Sequence, residues 1–155
     1  MRTMLAIETS AETCSVALDV GGEVREFFEH APKKHAELSL PAVSGLLAEA
    51  GVRAEGLDAI AFGRGPGSVT SLRIGIGVVQ GLAWGADVPV VPVSSLAAVA
   101  QTAVDARGSR TRPLRQVLVA MDARMGEVFH GLFEVDGERR VVAAGEERVS
   151  PPESV

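Results

Sequence analysis

The sequence predicts an α/β fold, with elements in the order βββαβαβα and a second, incomplete copy of the opening strands behind them. Three observations lead there. Short apolar runs are separated by turns containing Gly and Asp. Longer runs carry apolar residues at helical spacing. The acid-ended strand that opens the chain, with the turn and strands that follow it, returns near residue 117.

Taken in order, Thr3–Thr9 reads as a buried strand, Thr13–Val20 as a second and Gly22–His30 as a third. Gly21-Gly22 is a hairpin signal, so the chain opens as an antiparallel meander. In His35–Ala50, Leu38, Val43, Leu46 and Leu47 follow helical spacing and Gly51 stops the run. Pro41 removes one hydrogen bond there and is expected to kink the helix or delay its start. The continuous apolar run LDAIAFGRG reads as a strand buried on both faces. A long helix over Val69–Ala86 follows, then a strand in PVVPVSS. The helix SLAAVAQTAVDAR comes next, with Ser94 or Ser95 as its N-cap. This order implies a mixed sheet with helices on both faces.

The stretch ARGSRTRPLRQ, with Arg107, Arg110, Arg112 and Arg115, breaks the composition. It predicts a linker over 107–116, between a first lobe at 1–106 and the start of a second at 117–155. Beyond it, Met121-Asp122-Ala123 repeats Ile7-Glu8-Thr9, and Val135-Asp136-Gly137 repeats Val20-Gly21-Gly22. A repeat of this size implies two lobes of one topology. The second copy has its meander but no helix-strand-helix, and Ser150-Pro151-Pro152-Glu153 is a helix-start signal. It reads as a truncated lobe. The alternative is a short form that covers its half-lobe by oligomerising.

Bulk properties bound the function. With 15 Lys and Arg against 20 Asp and Glu, the net charge of −5 argues against a general nucleic-acid coat. The arginine linker leaves one local RNA contact open beside its plainer reading as a solvated connection. Cys14 is the single cysteine, so no internal disulfide forms, and a reducing, cytoplasmic compartment is expected. The N-terminus lacks the apolar core of a signal peptide, and the weakly charged run Ile74–Ala86 is too short to span a bilayer.

The stretch GRGPGSVTSLRIGIG, residues 63–77, is the most site-like. Its spacing is not that of a P-loop and it lacks the lysine. Gly65, Gly67 and Ser68, at a helix start, could still hold an anion or nucleotide. The other reading is a strand-to-helix turn that needs glycine. The helix behind it is unusual. Gly75, Gly77 and Gly81 sit in its interior, each costing about 1 kcal/mol relative to Ala. Gly77 and Gly81 share one face, and apolar residues occur nearly all round. Either the glycines pack against the sheet, or the helix meets another protein. The second reading is preferred, with Leu38, Leu46, Arg73, Ile74, Gly77, Val78 and Gly81 as interface residues.

Other constellations are weaker. His30, His35 and His130 form no HExxH or HxxxH pair and are expected at the surface or at strand ends, so no metal ligand set is assigned. Glu8 and Asp122 end the first strand of each copy, where an acid could hold a metal or act as a base. Hydrogen bonding to turn N–H groups is the preferred reading. Neither Ser68 nor Cys14 has an evident His-Asp partner, so triad chemistry and catalytic residues are not expected.

Together, IETSAETCSVAL, KKHAELSLP, GRGPGSVTSLRIG and MDARMGEVF resemble the TsaB family (older name YeaZ), glycoprotease-like proteins of tRNA threonylcarbamoyladenosine synthesis. The resemblance runs along the whole chain. It implies a duplicated actin-like/Hsp70-like (ribonuclease H-like) nucleotide-binding fold, in agreement with the repeat. It implies a bacterial cytoplasmic protein that forms homodimers and pairs with the catalytic paralogue TsaD, joined by the ATPase TsaE. The complex would transfer threonylcarbamoyl to adenosine 37 of tRNA, touching tRNA only as an assembly. It implies a noncatalytic scaffold with no cofactor of its own, whose dimer surface uses the two helices at His35–Ala50 and Val69–Ala86. The alternative, a glycoprotease-like hydrolase or nucleotide-dependent transferase, lacks the paralogue's histidine pair and a DxGxT phosphate hairpin. The chain departs from the family's usual Asp at Glu8, and from its Phe and Gly at Val69 and Ser71.

Overall fold

The computed structural model describes residues 2–108 and 114–155. Arg110 and Arg112 of the expected linker lie outside the described residues. The chain divides into two compact units, Met1–Val93 and Ser94–Val155.

In the first unit, β1 (Thr3–Glu8), β2 (Thr13–Val20) and β3 (Glu23–His30) form the expected meander. They are followed by α1 (His35–Ala50), β4 (Ala59–Gly63), α2 (Val69–Ala86) and β5 (Val90–Val93). The sheet order is β3-β2-β1-β4-β5. β1 pairs antiparallel with β2 and parallel with β4, and β5 continues the parallel side. The sheet is thus mixed, as the element order implies.

Alternation along β1 and β2 sends Leu5, Ile7, Val16 and Leu18 to one face. There they meet Val43 and Leu46 of α1, Val79 of α2, and Ile60. Burying side chains of this kind contributes about 1.5–3 kcal/mol each. Both long helices of this unit therefore cover the same face. The expectation of helices on both faces does not hold within it, because α1 and α2 share one apolar seam. α1 runs unbroken through Pro41, and Gly51 ends it in the left-handed region at φ 64°. β4 is less buried than its sequence suggests. Only Ile60 is fully enclosed, because one face of the strand lacks a helix of its own unit.

In the second unit, α3 (Ser95–Arg107) is capped by Ser94, whose hydroxyl accepts the Ala97 N–H at 3.2 Å. It precedes β6 (Gln116–Arg124), β7 (Glu127–Val135), β8 (Val141–Ala143) and β9 (Arg148–Ser150). β6 and β7 form a hairpin, and β8 and β9 both pair with β7. The third strand of the repeated meander is thus broken in two. Leu96 and Ala100 of α3 pack on Val119 and Phe133. The expected first lobe, 1–106, contained this helix, whereas its apolar stripe closes the second sheet. Periodicity shows that a helix has a stripe but not which sheet the stripe covers.

Candidate protein interface

The loop from Gly63 to Ser68 is bound to the turn that follows β1. Ser68 caps α2 with its hydroxyl, which accepts from the Ser71 N–H. The Ser68 N–H donates to the Ser10 carbonyl at 2.8 Å. A Cβ on Gly67 would collide with that same carbonyl, and one on Gly63 with the Glu8 carboxylate. Gly65 takes φ +94°, a region that side chains rarely enter. These glycines admit the β1–β2 turn. Of the three residues weighed for anion binding, Ser68 has its N–H and hydroxyl engaged, Gly67 lies on Ser10, and Gly65 is buried.

The helical glycines divide into two kinds. Gly75 faces inward, where a Cβ would strike the Thr9 hydroxyl, which itself donates to the Ser71 carbonyl at 2.8 Å. Gly77 and Gly81 face outward, and a Cβ at either would meet nothing within 4 Å. Packing within the chain therefore accounts for Gly75 but not for the other two.

The outer line of α2 runs Thr70, Arg73, Gly77, Gly81, Trp84, all exposed, with Trp84 at 91%. Ile74 and Val78 flank it, half-buried. The helix is not apolar all round. Leu72, Ile76, Val79 and Leu82 turn at least partly inward, and the outer line is small or polar apart from the tryptophan. On α1, Leu38 is half-buried, while Leu46 is 6% exposed and belongs to the core. Sequence reasoning did not place Trp84 among the interface residues. The signal was its three-residue offset from Gly81, which puts it on the glycine face.

The remaining candidates have structural partners. Glu8 accepts the Ser10 N–H at 2.5 Å and Asp122 accepts the Arg124 N–H at 2.7 Å, so both copies close the first turn with an acid at i and an N–H at i+2. His30 is exposed and His130 faces the Ser150 hydroxyl at 2.8 Å. His35 departs from its expected surface position. It opens α1 at 1% exposure, with Nε2 3.0 Å from the Ala11 carbonyl and 3.2 Å from that of Thr13. The ring ties α1 to the β1–β2 turn, which its polarity and spacing did not foretell. Cys14 is buried 3.6 Å from the Ser39 hydroxyl. Among the described residues, no three His, Cys, Asp or Glu gather as a metal site, and no helix is long and apolar enough to cross a membrane.

The chain is similar to known proteins along its length. A family model described as TsaD, tRNA N6-adenosine threonylcarbamoyltransferase, matches residues 27–155. The tRNA threonylcarbamoyladenosine biosynthesis protein TsaB of Haemophilus influenzae is 46% identical over 127 residues, 82% of this chain and 52% of that protein. The TsaB protein of Escherichia coli is 45% identical over 133 residues, 86% of this chain and 55% of that protein. The chain thus spans about half the length of these relatives. The solved structure of YeaZ from Pseudomonas aeruginosa superposes with a TM-score of 0.92 at 48% identity, covering 100% of this chain and 70% of that one. A likeness in sequence and fold of this extent has one meaning: the chain belongs to the TsaB (YeaZ) family.

Proposed function

We propose that the protein is a noncatalytic subunit in the formation of N6-threonylcarbamoyladenosine on tRNA. In this reading it works in the cytoplasm, and the outer face of α2, together with Leu38 of α1, is where it pairs with the catalytic paralogue TsaD. The ATPase TsaE joins that assembly, and tRNA is met by the complex. The TsaB relatives support the pathway through their names. The observation that carries the pairing role is the open space at Gly77 and Gly81 in a helix whose other interior glycine, Gly75, is tightly packed. Two helix-weakening residues on an exposed face, where an added Cβ would meet nothing within 4 Å, fit close approach by another backbone.

The histidines fit a noncatalytic role. His35 is held by backbone carbonyls and His130 faces Ser150, and neither pairs with another histidine at HxxxH spacing. The test is light scattering on size-exclusion fractions of the chain, alone and mixed with the organism's TsaD. A mixed complex is expected, lost in Gly77→Leu and Gly81→Leu while circular dichroism stays unchanged. Normal complex formation by the folded variants would overturn the assignment of the face. Turnover of ATP or substrate by the isolated chain would overturn the noncatalytic role.

A further inference from the structure

The sheet of the first unit ends at β5 on one side and at β3 on the other, and the two edges are built differently. A free strand edge offers unpaired N–H and C=O groups to a further strand, and folded proteins blunt it by shortness, proline, bulges or charge. β5 has four residues and carries Pro92. β3 has eight residues, no proline, and an unbroken register against β2 from Glu23 to His30. Charge alone guards this edge.

That charge is mainly of one sign. Glu23, Glu26 and Glu29 stand at every third position of β3. Side chains alternate along a strand, so Glu26 lies on one face of the sheet and Glu23 and Glu29 on the other. Arg25 lies 3.0 Å from Glu23 and offsets it. Glu26 and Glu29 form no ion pair with a described residue. On its own face Glu26 is flanked by Val24, 62% exposed, and Phe28, 67% exposed. The register sets these two opposite Asp19 and Ser15 of β2, whereas Phe27 lies opposite Val16 and packs on the core. Val24 and Phe28 are about 13 Å apart, with Glu26 midway. An apolar–acid–apolar row beside an open ladder suits strand addition, in which the main chain gives affinity and alternate side chains select the partner.

Charge complementarity decides the occupant. A second β3 laid antiparallel, so that Val24 meets Phe28, sets Glu26 against Glu26 and Glu23 against Glu29. Like charges directly opposite destabilise a strand pair. A strand with Lys or Arg at every third position meets an opposite charge at each acid, and apolar residues beside its central cation cover Val24 and Phe28. We propose that the free edge of β3 takes up such a segment, extended and basic, from another protein. The proposal uses β3 rather than α2 and does not depend on the proposed function.

The test uses the 155-residue chain and a fluorescein-labelled peptide, Lys-Val-Thr-Lys-Thr-Val-Lys. The peptide reads the same in both directions and so presupposes neither parallel nor antiparallel pairing. Anisotropy is expected to show saturable binding at low salt that weakens as salt is raised. N-methylation of one alternate set of its peptide bonds removes the ladder donors and is expected to abolish binding, while methylation of the other set leaves it. Glu26→Lys is expected to weaken binding at least tenfold. A peptide with Glu at its centre is expected to reverse that preference and bind Glu26→Lys better than the parent chain. Phe28→Thr is expected to cost about tenfold. These side chains are exposed, circular dichroism checks that each variant folds, and the methylated peptides test the parent chain itself. Absence of binding at low salt would overturn the proposal. So would equal loss from both methylated sets or from neither, or a Glu26→Lys variant that binds both peptides alike. Amide exchange in β3 that slows as the concentration of the chain alone rises would give the edge to a second copy, and would overturn it as well.

Discussion

The meander β1-β2-β3 and its counterpart β6-β7-β8/β9 begin from the same local instructions and reach different degrees of order. Each starts with an apolar strand that carries an acid, Glu8 at the end of β1 and Asp122 two residues before the end of β6, and each acid accepts an N–H two residues on. Each turns from its second strand to its third around an aspartate. Asp19 accepts the Gly22 N–H, and Asp136 those of Glu138 and Arg140. The first meander then gains β4 as a parallel neighbour and two helices over one face. The second leaves β6 at the sheet edge and has α3 alone. Its third strand is split by residues 144–147, and its tip carries Met125 at 99% exposure, with positive φ at Arg124 and Met125. Turn chemistry thus makes a hairpin, and the elements packed on the hairpin decide how much of it is buried.

The largest test of this contrast truncates one core at a time. Phe133→Ala is expected to cost about 3–5 kcal/mol and Leu5→Ala about 2–5 kcal/mol. Amide exchange should accelerate in β6 and β7 for the first variant and in β1 and β2 for the second. Equal acceleration in both sheets for either variant would break the picture of two separate cores.

A smaller effect sharpens the difference between the two first turns. The β1–β2 turn is held under α2 by Thr9 and Gly75, whereas the β6–β7 tip has no such clamp among the described residues. Gly75→Ala should therefore destabilise by about 1–3 kcal/mol through overpacking. Gly77→Ala should stabilise the isolated chain by about 1 kcal/mol, since it strengthens the helix and meets nothing. Urea denaturation of both variants measures the two signs. Equal signs would mean that the inward and outward glycines do not differ as described.

The smallest effect concerns the second aspartate turn. The Arg140 N–H, joined by the Glu138 N–H and the Arg140 guanidinium, holds the Asp136 carboxyl below its ordinary value. A carboxyl lowered on folding stabilises above its unfolded pKa, and that contribution fades as pH falls through the folded value. Asp136→Asn should lower the melting temperature slightly at neutral pH. The gap to the parent chain should close in acid. A gap independent of pH would assign the turn's stability to shape rather than charge.

Much of the candidate site could be read early because its signals are local. Glycines in a helix interior raise the question of a partner without any coordinates, and Ser68 before an apolar run marks a helix start. Which glycines face outward could not be read, because Gly75 and Gly77 differ only in what lies across from them. Leu46 looked like interface and is core, and His35 looked like surface and is buried, for the same reason. Their surroundings come from α2 and from the β1–β2 turn, distant in the chain.

By itself the sequence determined the order of the strands and helices through α3, the acid and glycine turns, and the repeat of the opening meander, though not the break in its third strand. Each rests on contacts between residues a few positions apart, where periodicity and capping act. Only the tertiary structure decided that α1 and α2 share a face, that α3 closes the second sheet, and that Gly77, Gly81 and Trp84 stand open. Those outcomes depend on which apolar stripe finds which sheet, a pairing between distant segments that no local pattern encodes.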